Sequence, residues 1–481
     1  MAGAFSARAE LKVAAIFGDN MVLQQGQPVP VWGWSNPGAE VTVKFGGQTG
    51  TVQADAQGRW QVKLKQLAAS AVPSDLTVMA GGSEAGTVTL TNVLVGEVWL
   101  ASGQSNMEKP LGQQPGQQPC FNFEQVLATA DFPQIRLFSV DKALAAAPLK
   151  DLGKHKSWQA CDSNALSGMR FSAAAYFFGR EIHTNLNVPV GLIGSYWGGT
   201  RIEPWTPPAG FAQVPSLQAL AATKLGTNRL ANTRPTALYN AMFAPIAGFA
   251  IRGALWYQGE SNCSGTNDDD YLTYGDKMAA LVGGWRQVWD EGNFPFYFVQ
   301  IAPFKYYGGK AKRVKTPETL PEFWTIQARA ACTIPQAGMA ATTDLVDDLN
   351  NIHPRDKASV GHRLALLARH QTYGQAEVVS AGPVFAKAEF SGGQAVLKFD
   401  HVEGGLASRD GKPLSWFTIA GADGKFVPAR AELAGDTVRV SSPEVAQPVA
   451  VRFAWAETAE PNLMNGAGLP AEPFRTDAEA R

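Results

Sequence analysis

Four short polar runs stand out in this chain of 481 residues, because each follows an apolar run and each carries groups able to handle an acyl carbonyl. They are Ser102-Gly103-Gln104-Ser105-Asn106-Met107, Trp197-Gly198-Gly199-Thr200, Gln258-Gly259-Glu260-Ser261-Asn262 and Asp344–His353. Together they supply a hydroxyl, backbone amides beside glycine, a side-chain amide and an imidazole, the components of acyl transfer. A serine hydroxyl attacks a carbonyl only once a base takes its proton, so an imidazole must come within hydrogen-bond reach. The tetrahedral oxyanion then needs fixed donors. Glycine lets a backbone N–H approach closely, and a primary amide such as that of Gln258 can add another bond. Each group also has an ordinary use. Serine caps helices, His353 precedes a proline and a helix, Gln258 can brace its own loop, and Glu260 can hold an arginine.

The elements that must position these groups are legible as a change of pattern near Asn92. Before it, alternating segments such as Val41–Phe45 and Trp60–Leu64 are separated by turn signals at Asn36-Pro37-Gly38, Gly46-Gly47, Gln57-Gly58 and Gly81-Gly82. That spacing predicts a small antiparallel sandwich. After it come five apolar runs, Gly96–Ala101, Pro189–Ser195, Arg252–Tyr257, Pro295–Ile301 and Gly338–Thr343. Helical segments are predicted at Ser172–Asn185, Tyr271–Asp290, Glu322–Cys332 and Arg355–Tyr373. Strands alternating with helices imply a parallel sheet covered on both faces, and a sheet buried on both faces needs continuous apolar runs. In such sheets ligands bind beyond the carboxyl ends of the strands, where the four polar runs fall. From about Val379 the β-pattern returns, with strands at Lys387–Phe390, Gln394–Phe399, Thr437–Ser441 and Val449–Trp455. The expected division is an N-terminal β-sandwich over 1–92, an α/β catalytic part over 93–378 with an irregular insertion at about 109–158, and a C-terminal β-region over 379–481.

Composition excludes several classes. Lys and Arg number 41 against 42 Asp and Glu, a net charge of −1, which argues against nucleic acid and polybasic membrane surfaces as partners. No run reaches the roughly 18 apolar residues of a membrane span. The opening MAGAFSARAELKVAAIFGD has no basic start followed by an apolar stretch, so a signal peptide is not expected in this chain. Cys120, Cys161, Cys263 and Cys332 form no CxxC pair, and unpaired thiols are favoured over a disulfide. Spacings of nine and eight between His353, His362 and His370 do not stack metal ligands on one helix face. No metal and no organic cofactor are expected.

GEVWLASGQSNM, GLIGSYWGGT, ALWYQGESN and IHPRDKASVGHRLA resemble the sialate O-acetylesterase group of the SGNH hydrolases. FGDNMVLQQGQPVPVWGWSNPGAEVTV and the later GRW resemble that group's β-domain. The resemblance implies an SGNH-type doubly wound parallel five-stranded sheet with flanking all-β regions, sandwich-like or jelly-roll-like. It implies Ser105 as nucleophile and His353 as general base. The oxyanion hole would come from the Ser105 amide, a glycine amide (Gly199 before Gly198) and the Gln258 side chain. The implied reaction is removal of O-acetyl groups from sugars, either sialic acids or plant cell-wall glycans, by a commonly exported enzyme, hence one that is periplasmic or extracellular. Relatives carry an acid two or three positions before the histidine, whereas this chain has Asn351 and Asn350. Three readings stay open for what orients His353: Asn350 as a neutral orienter, a nearby acid among Asp344, Asp347 and Asp348, or a backbone carbonyl alone. Trp197, Trp205 and Trp256 are candidates to stack on sugar, and Arg201 and Glu260 to bind its polar groups. Asp268-Asp269-Asp270 reads as a solvated loop. A noncatalytic glycan-binding module on a degenerate hydrolase scaffold is the alternative function.

Overall fold

The computed structural model describes residues 11–81, 86–226, 230–264, 270–309 and 313–477. Residues 1–10 of the amino-terminal stretch, Gly82 of the Gly81-Gly82 turn, and Asp268-Asp269 of the acidic run lie outside these residues.

The centre of the molecule is a sheet whose strands we number in chain order: β1 (Thr87–Gly103), β2 (Asp131–Val140), β3 (His155–Asp162), β4 (Val190–Tyr196), β5 (Gly253–Tyr257), β6 (Phe296–Val299) and β7 (Ala337–Ala340). Their spatial order is β3-β2-β4-β1-β5-β6-β7. All neighbours run parallel except β3, which closes the edge antiparallel to β2. The five predicted strands are β1, β4, β5, β6 and β7. Of the other two, β2 lies within the stretch 109–158, which the sequence presents as irregular, and β3 begins in it and ends at Asp162. In β2, Pro133 and a buried Arg136 interrupt the apolar pattern, and the Arg136 guanidinium is satisfied by the carbonyls of Pro133 and Asn20.

Side chains along each central strand alternate between two covered faces. In β5, Ala254 and Trp256 join one core cluster, while Leu255 and Tyr257 join the other. Helices α1 (Ala173–Leu186) and α4 (Lys357–Leu367) cover the second face, where Trp99 meets Phe178 edge-on at 4.9 Å. Helices α2 (Tyr274–Trp289) and α3 (Thr319–Thr333) cover the first, where Trp256 meets Trp285 edge-on at 5.7 Å. Burying each such side chain stabilises the fold by about 1.5–3 kcal/mol, which is why uninterrupted apolar strands need helices on both sides.

The first part of β1 belongs to the N-terminal β-structure. Ser70–Ala80 pairs with it antiparallel and Val22–Gln24 pairs with it parallel. The strand then continues unbroken across the expected boundary at 92 into the central sheet. A three-stranded sheet (Lys12–Val13, Val29–Trp34, Arg59–Leu64) completes this region, and its Val31 and Val62 share one core cluster with Trp256 and Phe298. The C-terminal strands have a core of their own around Leu397, Phe417, Val440, Phe453 and Phe474. This part touches the α/β part through Arg452 to Glu318 at 3.1 Å and through Glu457, which accepts from the Tyr307 and Gly308 amides.

Candidate active site

Chain order places β1 at a reversal point. The strands after it first go to one side (β2, β4) and then to the other (β5, β6, β7), which opens a crevice at the carboxyl end of β1. Gly103 is paired with both Tyr196 and Tyr257, so β1, β4 and β5 end level. The polar runs after them therefore meet at one rim. Only glycine fits at 103. Its φ is +138°, and a Cβ there would stand 2.2 Å from the Tyr257 carbonyl oxygen. The chain turns at this residue into a single helical turn, Ser105–Glu108, with Ser105 at its start.

His353 comes from the loop after β7, a few residues before α4, whose N-cap Asp356 accepts from the Ser359 amide. The imidazole Nε2 lies 2.9 Å from Ser105 Oγ. For the hydroxyl to donate, Nε2 must hold the lone pair, which puts the neutral ring's proton on Nδ1. Burial first, then the ammonium groups of Lys357 and Lys109, push the His353 pKa down to about 4. The ring is thus held neutral, the state of a general base.

Among the described residues no carboxylate is hydrogen-bonded to this ring. Asp344 forms a two-pronged ion pair with Arg363 at 2.7 and 2.6 Å. Asp347 accepts from the Arg355 amide. Asp348 accepts from both the backbone and the side chain of Asn350, which is exposed and does not reach the imidazole. Asn351 accepts from the His353 amide and so fixes the loop rather than the ring. Besides Ser105, the ring's neighbour is the Gln117 amide at 3.5 Å, from the segment expected to be an insertion. Ser105 and His353 thus stand as a hydrogen-bonded pair with no carboxylate behind the ring among the described residues. Accordingly Asn350→Ala should change kcat/KM for an activated acetyl ester by less than about twofold. A tenfold fall would make Asn350 the orienter after all, since loss of an orienting group is felt strongly in such sites.

The expected oxyanion donors divide. The amides of Ser105 and Gly199 have no acceptor among the described residues, and both residues line the cavity of about 400 Å³ that holds Ser105 and His353. Gly198 is excluded because its amide donates to Glu108 Oε2 at 2.6 Å. Gln258 is fully buried and does not line the cavity. Its Nε2 donates to Asn262 Oδ1 (2.8 Å), Gln104 Oε1 (3.1 Å) and the Thr200 carbonyl (3.2 Å), and its Oε1 accepts from Tyr274. It therefore braces the polar loops instead of facing the nucleophile.

Of the expected substrate contacts, Glu260 lines the cavity, whereas Trp197 and Arg201 do not. Trp197 lies beside Lys142, whose Nζ is 5.7 Å from the ring centroid, and Arg201 is ion-paired with Asp270 at 3.0 Å. Trp205 and Trp256 are core residues.

Two residues not anticipated as functional complete the site. Asn106, next to the nucleophile, donates to Glu260 Oε1 and to the Ile352 carbonyl, and accepts from Lys357 Nζ at 2.7 Å. One buried amide thus ties the nucleophile's turn, the loop after β5 and the histidine loop together. Burial pushes the Glu260 carboxyl up and the Lys357 ammonium down to about 7. Breaking such a set by removing one partner typically costs about 3–5 kcal/mol. Asn106 stood in a quoted motif, but nothing in the sequence says where its amide points. Lys357 also stood in a quoted motif, but lysine is rarely buried, so nothing there pointed to an inward ammonium.

Comparison with known proteins shows the family. The family model described as carbohydrate esterase, sialic acid-specific acetylesterase matches residues 95–369, more than half of the chain. Human sialate O-acetylesterase is 29% identical, the alignment covering 98% of this chain and 93% of the human protein. The mouse sialate O-acetylesterase is 28% identical over 91% of this chain and 88% of its own. The crystal structure of a carbohydrate acetylesterase from Xanthomonas citri superposes with a TM-score of 0.85 at 38% identity, covering 97% of this chain and 99% of the other. The chain belongs to the sialic acid-specific acetylesterase family of carbohydrate esterases.

Proposed function

We propose that this chain is a serine carboxylic-ester hydrolase that removes O-acetyl groups from sugars through an acetyl-enzyme on Ser105. The observation that carries the mechanism is the 2.9 Å contact between Ser105 Oγ and Nε2 of the half-buried His353, at the rim where two amides without an acceptor among the described residues also lie. Ser105 Oγ attacks the acetyl carbonyl while Nε2 takes its proton. The amides of Ser105 and Gly199 hold the oxyanion, and one such donor is typically worth about 10²–10³ in rate. His353 then returns the proton to the departing sugar oxygen. A water molecule, deprotonated in turn by Nε2, attacks the acetyl ester, and acetate leaves with Ser105 restored. Gln258 acts one step behind, holding Gln104 and Thr200 in place. Glu260, on the cavity wall, is our candidate for a hydroxyl of the sugar ring.

The substrate class is tested by acetate release from acetylated sialosides, acetylated xylan and acetylated xyloglucan fragments. Release from at least one is expected. Turnover of p-nitrophenyl acetate with release from none would refute the carbohydrate reading, and glycan binding with neither ester turnover nor labelling of Ser105 by a serine-hydrolase probe would favour the noncatalytic alternative. We place the enzyme in the periplasm or outside the cell, where such glycans occur; recovery in the cytoplasmic fraction of its native host would contradict this. No helix among the described residues is long and apolar enough to cross a membrane.

A further inference from the structure

A second cavity of about 490 Å³ adjoins the one that holds Ser105, and the two share Glu108 and Gln114 as walls. Its size falls within the roughly 300–1,000 Å³ of small-ligand sites. The floor is formed by buried Ser139, Val140, Met169 and Tyr196, and the rim by Lys142, Lys154, Lys156 and Arg170. Only two carboxylates face these four cations. Glu108 pairs with Lys142 at 2.5 Å and also accepts the Gly198 amide, so half of its charge is already engaged in shaping the glycine turn. The other is Asp141. Lys156 Nζ donates to the Gly168 carbonyl and Arg170 to Gln114 Oε1, uncharged acceptors that leave both charges uncompensated. Lys154 is exposed and has no ion-pair partner among the described residues. A local positive excess of this kind departs from a chain whose net charge is −1.

We infer that this basic cleft is a subsite for a carboxylate-bearing saccharide unit next to the acetylated one. The inference rests on the carbohydrate-esterase reading above. An anion entering the cleft meets Lys154, Lys156 and Arg170, which have no ion-pair partner among the described residues, and the apolar faces of Met169 and Tyr196 on the floor suit the C–H face of a sugar ring. The shared walls place the cleft beside the cavity that holds the nucleophile. The Arg170–Gln114 bond anchors that boundary, and the same segment carries Gln117 to the imidazole.

The test compares the intact enzyme with K154E/K156E, two side chains outside the catalytic machinery. For acetylated acidic oligosaccharides, KM should rise about tenfold with kcat within about twofold, and for the unaltered enzyme KM should rise with salt as screening takes hold. KM for acetylated neutral xylo-oligosaccharides and turnover of p-nitrophenyl acetate should stay within about twofold. Sialyl-oligosaccharides and glucuronic-acid-bearing xylo-oligosaccharides, assayed separately, tell the two carboxylate sources apart. An unchanged KM for both acidic series, or an equal rise for the neutral one, would overturn the subsite. Calorimetric titration with the deacetylated acidic oligosaccharides separates the two levels. Binding that K154E/K156E weakens upholds the subsite even where no glycan releases acetate, a result that would count against the esterase reading alone; no binding to the unaltered enzyme refutes the subsite.

Discussion

Ser105→Ala should lower kcat/KM for p-nitrophenyl acetate by about 10⁴-fold or more while leaving the thermal midpoint within a few degrees. The size follows from what the substitution removes. Among the described residues no other hydroxyl is hydrogen-bonded to the His353 ring, so covalent catalysis is lost outright, leaving His353 and the amides of residue 105 and Gly199 to favour attack by water. His353→Ala should fall to a similar level, because an unassisted serine is a poor nucleophile at neutral pH. The double variant should be scarcely slower than either single one, since the two groups act as a unit. A fluorophosphonate probe should label residue 105 in the unaltered enzyme and not in Ser105→Ala. Turnover by Ser105→Ala within tenfold of the unaltered enzyme would end the assignment.

The acid limb of kcat/KM should have its midpoint near pH 4 rather than near 6.5. The direction follows from the base. Burial and the positive charges of Lys357 and Lys109 disfavour the imidazolium, so protonation of His353, which switches the base off, is delayed to lower pH. At pH 5 such an enzyme keeps about nine-tenths of its plateau activity, whereas a base of ordinary pKa keeps about 3%. Lys357→Met removes one of the two charges and should move the midpoint upward. Chromatographic quantification of acetate released between pH 3 and 7 reads both values. A midpoint at 6 or above in the unaltered enzyme would contradict the geometry, and an unmoved limb in Lys357→Met would remove that lysine as a cause.

Lys357 does not take the place of a partner acid. In a triad the carboxylate stabilises the imidazolium as it forms. Here the surrounding charge works the other way and keeps the resting ring neutral. The cost appears as a weaker base, which suits an acetyl ester whose sugar oxygen leaves with help from the same imidazole.

What the sequence revealed and what it hid follow from how each residue is held. β1, β4 and β5 were legible because a strand buried on both faces must be apolar throughout, and glycine-bounded polar runs mark where such strands stop. The serine, the glycines and the histidine could be read from residue type and order. β2 was hidden by Pro133 and by Arg136, a charge whose burial is tolerated only because distant carbonyls accept from it. Gln258 was misjudged for a related reason: an amide has two ends, and only the fold decides that three acceptors take its donors inward. The absent carboxylate beside His353 was visible as Asn350 and Asn351, but no local pattern tells whether a substitute lies nearby. That answer depended on Arg363 and Arg355 engaging Asp344 and Asp347 elsewhere.

The seventeen residues of β1 begin among the N-terminal strands and finish two positions before Ser105. Trimming the chain to its α/β part would therefore not yield a smaller esterase. It would strip the partners from Val93, Leu94 and Val95, all inside the core, and leave a sticky, unpaired edge on the strand whose last turn aims Ser105. The N-terminal β-structure is thus less an attachment to the enzyme than the root of its most important strand, and whatever loosens the one end slackens the other.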